Sequence, residues 1–299
     1  MSAPIEVIVN AGSGSVFEGE TEQSLRERFV AHGVKANVHI VGPDERIDEL
    51  ARKAAEGDAE IIVAGGGDGT VNAVAAEVYR AGKTLGVLPL GTLNNFSKDL
   101  EIPQELNKAI GVIAAGHTRM IDLAEVNGRL FINNSSIGLY PRIVRKREQQ
   151  QRLGRGKWWA AFWAALRVFR IARFLKVRID IDGKSFLRKT PFVFVGNNEY
   201  EMELYNVGRR PRLDEGKLSV YFLHSGGRWG VILLLLKTFT GSVKQWREFE
   251  QVLVDSITIH SRRRRLSVAF DGEIDNLETP LEYRILPQAL KVIAPVAAE

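Results

Sequence analysis

The sequence of 299 residues contains no cysteine. Structural disulfides and thiolate zinc sites are therefore excluded, and a reducing cytosol is the natural setting. The longest apolar run, Trp229 to Leu236, is far shorter than the ~20 residues that a membrane-spanning helix needs. The N-terminus shows no charged-then-apolar pattern of a signal peptide. These absences predict a cytoplasmic protein that is either soluble or bound to a membrane surface.

The charge is modestly positive, with 41 Lys and Arg residues against 36 Asp and Glu residues and a pI near 9.4. This balance suits nucleic acid, an anionic membrane or a phosphorylated ligand, and does not distinguish among them. Because the sequence has no helix-turn-helix, zinc-finger or RNA-binding signature, we expect no nucleic-acid partner. The five His residues are scattered without metal-ligand spacing.

The first third of the chain alternates apolar strands with helical stretches, which predicts βαβ units and a parallel sheet. Strands are predicted at Ile5–Val9, Val34–Val41, Glu60–Ala64 and Thr84–Leu90. Helices are predicted at Thr21–Ala31, Ile47–Ala55, Val71–Arg80 and Gln104–Ala115. We expect residues 1–122 to form an α/β domain.

Beyond Asp122 the pattern changes to strand-turn-strand. Asn127-Gly128 and Asp182-Gly183 favour tight hairpin turns, because both dipeptides tolerate positive φ. Further strands are predicted at Leu218–Leu223, Ser256–His260, Leu266–Phe270 and Leu281–Ile285, and helices near Lys157–Phe174 and Trp229–Phe239. We expect residues 123–286 to form a β-rich antiparallel domain, and the tail, 287–299, is a candidate to return to the first domain.

A glycine-rich loop, Gly65 to Thr70, follows the third predicted strand and precedes a helix. Glycines let backbone amides approach phosphate oxygens, and the helix N-terminus adds partial positive charge. Asp68 would repel phosphate by itself, which suggests that Mg²⁺ or an acceptor hydroxyl is held there too. A tight turn with an Asp cap explains the loop equally well. The spacing is neither that of the P-loop nor that of the dinucleotide-binding motif.

Two further polar loops follow other strands, Asn10 to Gly14 after the first and Pro89 to Phe96 after the fourth. In a parallel sheet, the loops that follow the strands lie along one edge, where α/β proteins bind ligands. Three loops rich in Gly, Ser, Thr and Asn at that edge can surround one polyphosphate. Together they predict a nucleotide site.

These three loops, with Asp271-Gly272-Glu273 near the C-terminus, resemble the diacylglycerol-kinase catalytic-domain family, which includes bacterial lipid kinases and sphingosine kinases. The resemblance extends from Ile5 to about Ala294. Gly-Gly-Asp-Gly-Thr is shared with NAD kinases, whereas Pro-Leu-Gly-Thr-Leu-Asn and the late Asp-Gly-Glu are specific to the lipid-kinase branch. The resemblance implies an α/β ATP-binding domain and a C-terminal antiparallel β-sandwich that takes the lipid, with the active site in the cleft.

The resemblance also implies roles for single residues. Glu273 corresponds to the general base, and Asp68 is the second catalytic residue, organising Mg²⁺ and phosphate. For Asp271-Gly272-Glu273 a solvated β-turn fits the sequence equally well, so the catalytic role depends on the resemblance. The predicted nucleotide-binding residues are Asn10, Ser13, Gly14, Gly66, Gly67, Asp68, Gly69, Thr70, Val71, Asn72, Gly91, Thr92, Asn94 and Asn95.

The chain departs from the family at two places. Asn95 stands where the family often has Asp, and a neutral amide attracts Mg²⁺ less strongly. Some bacterial members hold a structural Mg²⁺ at an Asp-Gly turn, which here is Asp214-Glu215-Gly216-Lys217. The predicted metal ligands are Asp68, Asp214 and Glu215, with backbone carbonyls near Arg212 and Lys217.

A basic and aromatic segment runs from Arg142 to Arg178. At helical spacing, Trp159, Trp163, Arg170 and Arg173 share one face, which is typical of a helix lying on an anionic membrane. A buried aromatic face covered by Arg stems is the alternative. The run Arg262 to Arg265 is expected beside the cleft because it is close in sequence to Glu273.

The leading hypothesis is a peripheral lipid kinase at the inner face of the membrane, which transfers the γ-phosphate of MgATP to a diacylglycerol-like hydroxyl. One alternative is a kinase of a soluble alcohol, similar to NAD kinase. Another is a catalytically weak, nucleotide-responsive membrane-binding module, suggested by Asn95 and the basic segment.

Overall fold

A computed structural model of the chain describes residues 4–12, 20–42, 45–138, 174–181, 183–201, 209–223 and 249–296. The N-terminal half alternates strands and helices as predicted. Its elements are β1 (Ile5–Asn10), α1 (Glu22–Ala31), β2 (Ala36–Val41), α2 (Ile47–Glu56), β3 (Ile61–Gly66), α3 (Asp68–Arg80), β4 (Thr84–Pro89), α4 (Asn95–Asp99) and α5 (Leu106–Ala115). The four strands are parallel in the order β2-β1-β3-β4, which confirms the predicted parallel sheet.

Local sequence signals explain some of the helix ends in this half. The side chains of Thr21 and Ser24 form a reciprocal capping box at the start of α1, and Gly116 in the left-handed region ends α5. Helix α3 begins at Asp68 and not at the predicted Val71. Its first-turn residues donate no intrahelical hydrogen bond, so Gly69 is tolerated there. The glycine-rich loop therefore ends inside the helix.

The C-terminal half is made of strands. They are β5 (Thr118–Val126), β6 (Arg129–Phe131), β7 (Asn134–Gly138), β8 (Leu175–Ile181), β9 (Lys184–Thr190), β10 (Phe192–Asn197), β11 (Leu218–Leu223), β12 (Phe249–Val254), β13 (Ser256–Ser261), β14 (Arg265–Phe270), β15 (Glu273–Glu278) and β16 (Leu281–Ile293). The two predicted hairpins are present as β5–β6 and β8–β9. Asn127 and Gly128 have φ of 47° and 77°, as a two-residue hairpin turn requires.

Two sheets pack face to face in this half. Strands β16, β13, β8 and β9 continue the N-terminal sheet, and a second sheet has the order β12-β11-β10-β7-β14-β15. Alternate residues of both sheets fill the core between them, among them Val177 and Ile259 from the first and Val195 and Val220 from the second. The predicted α/β domain followed by an antiparallel β-sandwich is confirmed.

Strand β16 connects the two halves. Its first residues pair antiparallel with β13, Tyr283–Leu286 and Leu290–Ile293 pair antiparallel with β5, and Lys291 and Val292 pair parallel with Thr84 and Leu85 of β4. A bulge between Leu286 and Leu290 interrupts its period-2 pattern, which explains why the predicted strand ended at Ile285. The N-terminal parallel sheet and the C-terminal sandwich are therefore joined by one continuous set of backbone hydrogen bonds.

Within the described ranges, no helix is both long and apolar enough to cross a lipid bilayer.

Candidate active site

The loops that follow β1, β3 and β4 meet at one edge of the sheet. The Asn10 side chain donates a hydrogen bond from Nδ2 to Oγ1 of Thr70, at 3.2 Å. The backbones of Gly67 and Gly91 touch, because a Cβ built on Gly91 would lie 2.3 Å from Cα of Gly67. Gly91 is therefore fixed by a close approach that no side chain permits. Two further predicted residues of the first loop, Ser13 and Gly14, lie outside the described residues.

The N-terminus of α3 is suited to an anion. Gly67 precedes the helix in an extended conformation and makes no side-chain cap. The backbone N–H of Val71 is the first to bond within the helix, to the carbonyl of Gly67. The amides of Asp68, Gly69 and Thr70 precede it, where the helix dipole also favours negative charge. This turn can bind a phosphate group.

The carboxylate of Asp68 holds α4. Its Oδ1 accepts a hydrogen bond from the backbone N–H of Phe96 at 3.0 Å, and its Oδ2 accepts from the backbone N–H of Asn95 at 3.2 Å. The Asn95 side chain donates a third bond from Nδ2, also at 3.2 Å. The carboxylate of Asp68 thus caps the N-terminus of α4 from another segment of the chain. The side chain of Asn95 contacts this carboxylate as a neutral donor. Asp68 remains partly exposed beside the first turn of α3.

The predicted turn Asp271-Gly272 is a two-residue hairpin loop between β14 and β15, with φ of 47° and 90°. Asp271 is buried, and its carboxylate accepts hydrogen bonds from the backbone N–H groups of Ile132, Asn133 and Asn134 at 2.7, 2.9 and 3.1 Å. Burial raises the pKa of Asp271 to about 7, whereas these three donors act in the opposite direction. The alternative of a turn with two solvated acids is therefore wrong for Asp271.

Glu273 is the first residue of β15 and is exposed. Although the residue is exposed, the protein around its carboxyl displaces part of the hydration water and so raises its pKa; Asp48 at the start of α2 adds to the rise, and Arg129 opposes it. The turn before it lies against the glycine-rich loop, because a Cβ built on Gly69 would lie 3.8 Å from the carbonyl oxygen of Asp271. The structure therefore brings the predicted phosphate-binding turn and the predicted base together.

The other predicted nucleotide-binding residues divide by exposure. Thr92 is exposed, whereas Val71 packs in the core of the N-terminal half. Asn72 and Asn94 are buried, and the side-chain oxygen of each has no hydrogen-bond partner. The amide of Asn72 reaches the carbonyl of Leu130 at 3.5 Å, so this residue lies between α3 and β6. The prediction that these residues bind nucleotide stays a prediction.

The predicted metal ligands are spread over two places. At the glycine-rich loop, Asp68 supplies a single carboxylate. Among the described residues, no group of three acids or histidines could hold a metal ion by itself. One carboxylate fits Mg²⁺ held mainly by phosphate oxygens and water.

At the second place, Asp214 accepts a hydrogen bond from Arg212 at 3.1 Å, and Glu215 accepts one from the backbone N–H of Glu199 at 3.4 Å. Lys217 pairs with Asp255. A Mg²⁺ at this turn stays a prediction.

A set of buried polar residues between the two halves was not predicted from the sequence. The largest is Arg210, whose side chain is fully buried and bonds to Asp99 at the end of α4. Asp122 is also buried and accepts hydrogen bonds from the backbone N–H groups of Gly216 and Gln288, at 2.6 and 2.8 Å. Arg210 lies in the short basic stretch Arg209-Arg210-Pro211-Arg212, and Asp99 follows Asn95 by one helical turn. The spacing of Asp99 from Asn95 is the one sequence signal that could have suggested a role for Asp99 and, through it, for Arg210.

Two predictions about basic regions have different outcomes. Trp159, Trp163, Arg170 and Arg173 lie outside the described residues. The run Arg262–Arg265 ends at the first residue of β14, whereas Asp271 follows the other end of that strand. The expectation that this run lies beside the candidate site is wrong, because a six-residue strand spans roughly 17 Å and separates them.

Comparison with known families divides the chain in the same way as its geometry. Residues 4–126 match the diacylglycerol kinase catalytic domain, and residues 138–294 match the YegS C-terminal NAD kinase beta sandwich-like domain. A crystal structure of a diacylglycerol kinase from Bacillus anthracis superimposes with a TM-score of 0.69 at 21% identity, over 98% of this chain and 97% of that one. At that identity the likeness concerns the fold alone.

Curated relatives cover different shares of the chain. A diacylglycerol kinase of Bacillus subtilis is 31% identical over 60% of this chain and 60% of that protein. A protein of Citrobacter koseri described as a probable YegS-like lipid kinase is 34% identical over 42% of this chain and 45% of that protein. The chain thus matches less than two thirds of the length of either. An uncharacterised protein of Synechocystis sp. is 28% identical over 96% of this chain and 68% of its own length.

Proposed function

The chain belongs to the diacylglycerol kinase catalytic domain family, and from that premise we propose that it transfers the γ-phosphate of ATP to the hydroxyl group of a diacylglycerol-like lipid. One observation carries the proposal. The first turn of α3, which can bind phosphate, lies against the Asp271-Gly272 turn that leads directly to Glu273. A phosphate donor at the first and an acceptor hydroxyl at the second would be neighbours.

In this proposal the N-terminal loops bind the triphosphate. The first-turn amides of α3 and the glycine backbones that carry no Cβ can approach the phosphate oxygens closely. Phosphoryl transfer depends mostly on positioning and on neutralising charge, so a rigid cradle of amides supplies much of what the reaction needs. The close contact of Gly67 with Gly91 keeps two of the three loops in a fixed relation.

Asp68 is the residue that would hold Mg²⁺. Its two oxygens accept hydrogen bonds from α4, and the partly exposed side chain remains beside the phosphate-binding turn. When bound, Mg²⁺ supplies positive charge to the transferring phosphoryl group. The contact from Asn95 fixes the orientation of Asp68 without a second carboxylate.

Glu273 is proposed to accept the proton of the acceptor hydroxyl. A new bond forms between the acceptor oxygen and the γ-phosphorus, the bond from that phosphorus to the bridging oxygen breaks, and ADP leaves with the electron pair. A raised pKa suits this role, because a stronger base accepts the proton more readily.

A soluble alcohol is the second candidate acceptor, because the C-terminal half matches a domain described as NAD kinase beta sandwich-like. A nucleotide-responsive module with weak catalysis is the third, since Asn95 replaces the carboxylate frequent in the family. The loop Pro89 to Phe96 argues against an NAD-kinase-like acceptor, and the presence of both Asp68 and Glu273 favours an enzyme over a weakly catalytic module.

The proposal includes a location. The basic and aromatic face of Trp159, Trp163, Arg170 and Arg173 would contact anionic lipids at the cytoplasmic face of the membrane, where a lipid acceptor is found. Binding to vesicles of anionic lipid at low salt, and its loss at high salt, tests this part.

The deciding experiment is transfer of labelled γ-phosphate from ATP to a panel of acceptors. The panel contains diacylglycerol, other lipid extracts, NAD and simple soluble alcohols, each with and without Mg²⁺. Label on diacylglycerol supports the proposal, label on another lipid changes its substrate, and label on NAD supports the second candidate. Nucleotide binding without label on any acceptor supports the third.

A further inference from the structure

A buried ion pair joins the two halves of the candidate site. Arg210, on the segment before β11, donates from Nε to Oδ2 of Asp99 at 2.8 Å, and the side chains are 0% and 4% exposed. Asp99 also accepts the backbone N–H of Arg210 at 3.3 Å. Burial raises the pKa of Asp99, and the guanidinium of Arg210 opposes that rise. The roles proposed above, in phosphate binding, Mg²⁺ binding and proton transfer, do not involve this ion pair.

The remaining donors of Arg210 go to the segment between β6 and β7 and to the last residue of β10. One terminal nitrogen donates to the carbonyl of Ile132 at 2.6 Å and to that of Asn197 at 3.2 Å, and the other donates to Oδ1 of Asn133 at 2.6 Å. The guanidinium also lies over the ring of Tyr200, 5.6 Å from its centroid. The planar fork of an arginine is matched to this set of acceptors, and a lysine would not reach all of them.

Each end of this cluster leads to a candidate site residue. Asp99 is the last residue of α4, and the N-terminus of that five-residue helix is bound by Asp68. Ile132 and Asn133 accept from Arg210 and donate their backbone N–H groups to the carboxylate of Asp271. Asp271 is followed after one residue by Glu273. A continuous path of hydrogen bonds therefore runs from Asp68 to the turn that carries Glu273.

We propose that Asp99 and Arg210 are positioning residues for phosphoryl transfer: they fix α4, which holds Asp68, relative to the segment Ile132–Asn134, which holds Asp271 beside Glu273. This inference rests on the proposed function for its effect on rate. The path of contacts itself does not depend on which acceptor is phosphorylated.

Stability alone does not account for the cluster. A buried ion pair contributes little net stability, because the cost of removing both charges from water offsets their attraction. An apolar pair of similar volume would fill the same space, but it would leave the carbonyls of Ile132 and Asn197 without Arg210. It would also leave α4 without a defined distance to the Asp271 turn. Phosphoryl transfer depends on such distances, since a displacement of about 1 Å can lower the rate about a hundredfold.

The test is the variant Asp99→Asn, which keeps the shape and one acceptor oxygen and removes the charge opposite Arg210. We expect its nucleotide dissociation constant to stay within about twofold of wild type and its kcat to fall by about tenfold or more. Hydrogen exchange should accelerate at the amides of Ile132, Asn133 and Asn134, on the far side of Arg210 from the substitution.

The matched control is Glu125→Gln. Glu125 accepts from Nε of Arg284 at 2.6 Å, between β5 and β16, so the chemical change opposite an arginine is the same. We expect kcat and the exchange at Ile132–Asn134 to be unchanged in this variant. If Asp99→Asn does not fold, Arg210→Lys, which keeps the charge and loses the fork, is measured in the same two ways.

Two results would overturn the proposal. One is a kcat in Asp99→Asn equal to that of Glu125→Gln, whatever the loss of thermal stability. The other is unchanged exchange at Ile132–Asn134. If wild-type protein labels no acceptor, the proposed function fails instead, and the exchange measurement still decides whether α4 and the Asp271 turn are coupled.

Discussion

Asp68 and Asp271 lie in different halves of the molecule, and each accepts three N–H hydrogen bonds. Asp68 binds the start of α4 and remains partly exposed beside the first turn of α3. Asp271 binds three successive amides of the segment before and at the start of β7 and is 7% exposed. The first acid can still meet a ligand, and the second cannot.

This difference separates two uses of a carboxylate. A buried acid that is surrounded by amides acts on the backbone, and it orders the turn in which it stands. A partly exposed acid with the same number of donors still has oxygen lone pairs that can bind a cation such as Mg²⁺. In the motif Asp271-Gly272-Glu273 the structural role therefore belongs to Asp271, and Glu273 remains the candidate for the proposed role of base.

The largest effect is expected from Glu273→Gln, which removes the proposed base and leaves Asp271 in place. Loss of general-base catalysis should lower kcat by roughly 10²- to 10⁴-fold, with nucleotide affinity unchanged. In wild type, kcat/KM should rise with pH through the raised pKa of Glu273, since the ionised form is active, and this limb should disappear in the variant.

The control for this variant is Glu278→Gln, at the other end of β15, where the side chain pairs with Arg265 at 3.1 Å. Its kcat should stay within about twofold of wild type, because surface ion pairs contribute little. Equal losses in the two variants would show that Glu273 is not the base.

Next in size is Asp271→Ala, measured by chemical unfolding near pH 8. Three buried backbone N–H groups lose their acceptor, so the free energy of unfolding should fall by about 3 kcal/mol or more. Asn127→Ala is the matched control, because Asn127 has the same φ of 47° in the same kind of turn and bonds to three backbone groups at the surface. It should lose only about 1 kcal/mol, and an equal loss would remove the distinction between buried and exposed turns.

A smaller effect concerns pH. The pKa of Asp271 in the folded chain, about 7, lies above its value in the unfolded chain, so the folded chain binds the proton more tightly. The resulting contribution to stability is fully present below about pH 4 and is lost as pH rises through about 7. Relative to Asp271→Asn, which does not titrate, wild type should lose about 2 kcal/mol of unfolding free energy between about pH 5 and pH 8. A constant difference would mean that the three N–H donors hold the pKa down.

The smallest effect is expected for Asn95→Asp, which places a second carboxylate against Asp68. Without metal, repulsion should lower the unfolding free energy by about 0.5–1 kcal/mol, and millimolar Mg²⁺ should restore it. Asn37→Asp is the control, since Asn37 donates to Glu6 at 2.7 Å on the surface of β2 and β1. It should show the same loss with no response to Mg²⁺ beyond screening, and an equal response would mean that Asp68 holds no metal.

Much of the architecture could be predicted from the sequence because local signals coincide with tertiary ones. Buried parallel strands such as β3 are continuous apolar runs, and Asn127-Gly128 sets its hairpin by backbone conformation alone. The position of the candidate phosphate-binding edge followed from topology, because loops after parallel strands must meet there.

The polar connections between the halves could not be predicted in the same way. Arg210 and Asp99 are 111 positions apart, and neither has a local pattern that distinguishes it from a solvated charge. The burial of Asp271 depends on amides more than 130 positions away. Nothing in the sequence near Asp271 reveals those partners, so the tripeptide Asp271-Gly272-Glu273 was equally compatible with a solvent-exposed turn.

Strand β16 has a consequence for how the chain is made. Strand β4 stays at the rim of the parallel sheet until Lys291 and Val292 arrive beside it, about two hundred residues later in synthesis. At roughly 5–20 residues per second the ribosome needs on the order of 10–40 s to supply them. During that interval the free edge of β4 in the nascent chain has unpaired backbone N–H and C=O groups, to which a strand of another chain could bind. The N-terminal sheet is therefore completed only after the strands β5 to β15 have been synthesised.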